Sequence, residues 1–127
     1  MRALISAAVI AASLATATTP AFAEWRQIGQ REVSDRAERD VIAVEGHQQF
    51  ERIRICVYRN PVHFRDLDIV FRNGGHQDAA VREIIPAGGC TRAIDLVGDD
   101  RDIARIAVAY EETSRRRAHA HVRVFAE

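Results

Sequence analysis

The stretch Arg52-Ile53-Arg54-Ile55-Cys56-Val57-Tyr58 decides the fold. In an extended chain successive side chains alternate between two sides, so Ile53, Ile55 and Val57 share one face while Arg52, Arg54, Cys56 and Tyr58 share the other. That is the signature of a half-buried strand. The same period recurs further along the chain. Leu67, Ile69 and Phe71 alternate with Asp66, Asp68 and Val70, and Ile106, Val108 and Tyr110 alternate with Arg105, Ala107 and Ala109. At the end Ala120, Val122 and Val124 face away from His119, His121 and Arg123. Shorter strand candidates are Trp25 to Val33, Val41 to Val44 and Thr91 to Leu96.

Turn-forming residues separate these runs: Asn60-Pro61, Asn73-Gly74-Gly75, Pro86-Ala87-Gly88-Gly89 and Gly98-Asp99-Asp100. The pattern predicts an all-β fold, a two-layer antiparallel β-sandwich of the jelly-roll or immunoglobulin-like kind with about seven to eight short strands. Gln77 to Ile85 reads as a strand, although Val81, Ile84 and Ile85 also fit the spacing of a helical turn. A weak internal echo lays Phe50-x-Arg52-Ile53-x-Ile55 over Ile103-x-Arg105-Ile106-x-Val108, and Ile69-x-Phe71 over Val122-x-Val124. The expectation from it is two similar strand groups packed face to face as the halves of a sandwich.

Met1-Arg2, an apolar run from Ala3 to Leu14 and the small residues Ala21 and Ala23 read as a secretory signal peptide over residues 1–23, with cleavage before Glu24. The run is too short to cross a bilayer as a helix, and no later segment is apolar enough to do so. Residues 24–127 are then expected to form a single periplasmic or secreted domain. Cys56 and Cys90 both lie beyond the leader, and in an oxidising compartment such a pair is expected to form a disulfide. The alternative is two buried thiols.

Composition excludes some chemistry. The 127 residues carry 18 basic and 18 acidic groups, and every basic one is arginine, so lysine Schiff-base catalysis is ruled out. The balanced charge argues against a general nucleic-acid binder. Ser34 and Ser114 are the serines outside the leader, and neither sits in a Gly-x-Ser-x-Gly setting. The glycine pairs lack the lysine and helix of a phosphate-binding loop. The expectation is a non-enzymatic protein with no cofactor.

Trp25-x-x-Ile28-Gly29, Asp40-x-Ile42-x-Val44, Phe50-x-x-Ile53-x-Ile55, Asp68-x-Val70-x-x-Asn73-Gly74 and Arg92-x-Ile94-Asp95-Leu96-x-Gly98 carry a resemblance. Together they look like a group of small secreted bacterial proteins of unknown function. The resemblance implies an all-β fold and carries over no catalytic residue.

Binding is therefore the function sought. Strand alternation puts Arg52, Arg54, Asp68, Arg105 and Arg123 on a polar sheet face able to hold an anionic ligand or an envelope component through forked guanidinium contacts. If Ile53 lay opposite Ile69 in a hairpin, Arg54 would face Asp68. Two alternatives stand beside this reading. His119 and His121, at i and i+2, project from one face and could share a metal ion, given further ligands from His47, His63, His76, Asp66 or Asp68. The other alternative is a purely structural envelope protein. Arg115-Arg116-Arg117 reads as the tip of the last hairpin, most often a solvated turn. Trp25 and Tyr58 are the aromatic residues expected to present a ring outward.

Overall fold

The computed structural model describes residues 24–33, 39–98, 101–111 and 119–127. Over them run nine strands and no helix: β1 (Arg26–Glu32), β2 (Arg39–Ala43), β3 (Gln49–Phe50), β4 (Arg52–Tyr58), β5 (Val62–Phe71), β6 (His76–Ile85), β7 (Ile94–Asp95), β8 (Arg101–Glu111) and β9 (His121–Ala126). The leader, Asp99-Asp100 and the Arg115–Arg117 run lie outside the described residues. Gln77 to Ile85 is strand, and the segment from Thr91 to Leu96 contributes only the two residues of β7.

The strands form two antiparallel sheets. The first has the order β1-β9-β4-β7 and the second β2-β8-β5-β6, with β3 continuing along β8 beyond β2. This order, with consecutive strands crossing repeatedly between the layers, is that of a jelly roll rather than an immunoglobulin-like sandwich. The count exceeds expectation because β3 is too short to show a period.

Each sheet turns its apolar positions inward. Ile53, Ile55 and Val57 of β4 with Val122 and Val124 of β9 face Phe64, Leu67 and Ile69 of β5 with Ile103 and Ile106 of β8, all essentially without solvent exposure. Each such side chain contributes about 1.5–3 kcal/mol through removal from water. Val70, expected on the polar face, is also buried.

Two expectations about pairing are corrected. Ile53 does not lie opposite Ile69: its partners are Ala126 and Ile94, and Ile69 sits in the other sheet between Gln77 and Ile106. Arg54 and Asp68 therefore occupy different sheets and cannot pair. Nor does the internal echo divide the sandwich into its two layers. Its matched segments are β4 with β8 and β5 with β9, and each group places one strand in each sheet. The groups interlock, β4 pairing with β9 and β8 with β5.

Chemistry in the sequence holds the layers in place. A Cβ on Gly29 would come within 2.8 Å of Ile42 Cγ2 and 3.1 Å of the Ala43 carbonyl, so glycine lets the bulged edge strand β1 approach β2 of the facing sheet. Cys56 and Cys90 form the expected disulfide. It lies where the chain returns from the second sheet to the first: Gly88 N–H donates to Val57 O, Val57 N–H to Gly89 O and Thr91 N–H to Ile55 O, along the part of β4 beyond its pairing with β7.

Across the opposite end, buried Asp40 accepts a hydrogen bond from the Tyr110 hydroxyl at 2.7 Å and pairs with Arg31 of β1 at 3.2 Å. Tyr110→Phe leaves a buried carboxylate short of one O–H donor, and we expect it to lower unfolding free energy in urea by about 1–3 kcal/mol. Arg31→Ala, at the half-exposed end, should cost under about 1 kcal/mol. The reverse order would show that the ion pair, not the hydroxyl, carries Asp40.

Candidate functional site

The outward positions of β4 are Arg52, Arg54, Cys56 and Tyr58, and those of β9 are His121, Arg123 and Phe125. The register sets them in rows with β1. Arg54 and Gln27 flank Phe125, Cys56 and Gln30 flank Arg123, and Tyr58 and Glu32 flank His121. Directly opposed residues of an antiparallel pair share a face, so these rows make up the outer surface of the first sheet.

Guanidinium groups and rings stack across it. The Arg54 guanidinium carbon lies 4.5 Å from the centre of the Trp25 ring and 5.9 Å from that of Phe125, and Arg123 lies 4.7 Å from Tyr58. Such contacts contribute about 0.5–1 kcal/mol at exposed sites and more where water is excluded. All five residues are half-buried. The Nε–H groups of Arg54 and Arg123 are sealed from solvent without a hydrogen-bond partner among the described residues, so the terminal nitrogens carry what each side chain offers outward. Neither arginine has a carboxylate within ion-pair distance among the described residues.

Arg101 also stacks, 3.7 Å from the centre of the Phe71 ring, but its terminal nitrogens are taken up by the Val97 carbonyl and Asn73 Oδ1, and several other arginines are held by carboxylates. Arg52 is neutralised by Glu127 at 2.9 Å and by Asp95 at 4.0 Å. Arg72 holds Asp102 and the carbonyls of Val44 and Gly46, while Arg59 reaches Glu32. Arg65 and His63 share Glu111.

The five anion-site candidates therefore do not lie on one face. Arg52, Arg54 and Arg123 lie on the first sheet, and Asp68 and Arg105 on the outer face of the second. The reason is the crossover of the chain between β4 and β5, which places neighbours in sequence on opposite sides of the molecule. Asp68 accepts from His76 at 3.2 Å. It borders a trough of about 400 Å³ over Ala107 and Ala109, with Asp66, Asp78 and Arg39.

His119 and His121 sit on the outer side at the start of β9. His121 Nε2 lies 3.2 Å from Gln30 Oε1, and no group of three potential metal ligands occurs among the described residues. Of the two aromatic residues expected outward, both belong to the stacked surface, each under an arginine. Phe125, Gln27 and Gln30 were not singled out by sequence, because their membership depends on which strands flank β9.

Strand order, bridge and outer surface together define a disulfide-pinned jelly roll with a row of stacked arginines and rings on one sheet. The chain belongs to the family described as Domain of unknown function (DUF2541), whose model matches residues 3–126. No curated protein matches it. Among solved structures it is similar to that of AlgX from Pseudomonas aeruginosa, at 13% identity and a TM-score of 0.55 over 80% of this chain and 26% of that one. The chain thus spans about a quarter of the length of AlgX, and the likeness is one of fold. No helix among the described residues is long and apolar enough to cross a membrane.

Proposed function

We propose that this is a periplasmic or secreted binding protein of the cell envelope that takes an anionic ligand on the outer face of its first sheet and performs no catalysis. The observation that carries the reading is the pair Arg54 and Arg123. Both are fixed by stacking, half-buried, and without a carboxylate partner among the described residues, whereas Arg52 on the same strand has two. A stacked guanidinium is already ordered, so less side-chain freedom is lost when it binds. Its terminal N–H groups form a fork matched to a carboxylate or phosphate. The disulfide supports an oxidising compartment.

Dextran sulfate serves as a charge probe. We expect the oxidised protein to bind it in low salt, with affinity falling at least about tenfold in Arg54→Ala/Arg123→Ala and falling again as salt rises. Arg105→Ala, on the other sheet, should bind as wild type, and thermal melts establish that each variant is folded. Equal weakening by Arg105→Ala, or no binding by wild type, overturns the proposal.

A further inference from the structure

We infer that the ligand of this face is a linear glycan bearing carboxylates, a polymer of uronic-acid type, which crosses the first sheet and continues over the edge strand β1; this rests on the anion-binding reading above. The chemistry beside the arginines separates such a ligand from other polyanions. Gln27 lies opposite Phe125 and Gln30 opposite Arg123, so both amides stand on the same outer face. Gln27 Nε2 donates to Gln30 Oε1 at 3.5 Å and His121 Nε2 lies 3.2 Å from that same oxygen. This leaves Gln27 Oε1 as an acceptor and the Gln30 amide N–H groups as donors.

A sugar hydroxyl both donates and accepts, and engages each of these, whereas a phosphate or sulfate oxygen only accepts, so that the exposed Gln27 Oε1 keeps its water and gains nothing. The half-exposed rings of Trp25, Phe125 and Tyr58 offer apolar edges to the C–H faces of a pyranose. Carboxylate, hydroxyl and C–H surface all occur on one uronic acid residue.

Two features make the ligand extended rather than small. Arg54 and Arg123 are diagonal neighbours across β4 and β9, about 7 Å apart at Cβ, a separation on the scale of one sugar residue. Gln27 and Gln30 also line a polar groove of about 500 Å³ that runs from the edge of β1 past Arg31 to Val41 and Glu45. Gln27 and Gln30 thus belong both to the rows beside the arginines and to this groove.

The test titrates the oxidised protein with polygalacturonate, with galacturonic acid monomer and trimer, with neutral dextran and with inorganic polyphosphate. Polygalacturonate should bind at least about tenfold more tightly than polyphosphate of matched charge, the trimer more tightly than the monomer, and dextran not at all. Gln27→Ala/Gln30→Ala should lose about tenfold for polygalacturonate and leave polyphosphate binding unchanged. If polyphosphate binds as well as polygalacturonate, or if the glutamine pair weakens both probes alike or neither, the glycan assignment is overturned while the anion face stands. If dextran sulfate binding ignores Arg54 and Arg123, the anion face itself is lost.

Discussion

Replacing both Cys56 and Cys90 by serine should lower unfolding free energy by about 3–4 kcal/mol, the chain-entropy value for the loop the bridge closes. In a chain of this size that corresponds to a melting temperature lower by roughly 15–25 °C. The position of the bridge explains why the native state should keep its shape up to that lower melting point. The segment from Gly88 to Thr91 already pairs with β4 through backbone hydrogen bonds, so the cross-link restrains the unfolded chain more than it reshapes the folded one. Calorimetry of wild type with and without dithiothreitol, beside the double serine variant, reads the effect directly. Identical melting temperatures would mean that the crossover is held by its hydrogen bonds alone.

Phe64→Ala should be as damaging, at about 3–5 kcal/mol. Phe64 is fully buried on β5 and lies opposite Tyr110 of β8 and Glu83 of β6, at the place where the register of β5 shifts. Truncation removes the transfer free energy of the ring and leaves a void that two sheets, tied together by Arg31 and Asp40, cannot collapse to fill. Val41→Ala is the control. Val41 is 44% exposed, and its loss should fall within about 0.5 kcal/mol. Urea unfolding of the two variants compares them, and a Phe64→Ala cost near that of Val41→Ala would show that the core yields where the structure shows it closed.

Phe64 also marks where the sequence stops being legible. The alternation from Leu67 to Phe71 is plain, yet Val62 and Phe64 fall out of phase with it, because between Phe64 and Leu67 β5 spends two residues, Arg65 and Asp66, against the single Ala109 of β8, while β6 bulges in turn against β5. Arg82, on the β6 side of this bulge, has φ 45°, in the left-handed region. A period-two reading therefore begins the strand late and leaves its largest buried ring unassigned. Burial of Ile53, Ile55, Val57, Ile106, Val108, Val122 and Val124 was readable because each belongs to an unbroken run. The bridge was readable from the cysteine count together with the expectation of an oxidising compartment.

The candidate site was legible only in part. Alternation fixes that Arg54 and Arg123 face outward, and it does so for Arg52, Asp68 and Arg105 too, but it does not say on which layer. That depends on pairings between strands far apart in the chain, such as Arg54 with Phe125 and Gln30 with Arg123. Periodicity within a strand carries no trace of its neighbours, so the stacked rings and the two amides became visible only with the sheet order. The family match and the likeness to AlgX add fold and family, and neither assigns a residue a role.

The interlock of β4–β9 with β8–β5 has a temporal consequence. Neither central pair joins segments that leave the ribosome or a translocation pore together: β4 waits for β9, and β5 waits for β8. Contacts of such long separation form slowly, and an emerging chain keeps its greasy strands unzipped until its final segment is delivered. Both sheets of such a polypeptide therefore close late, once β8 and β9 have been delivered to the strands that wait for them.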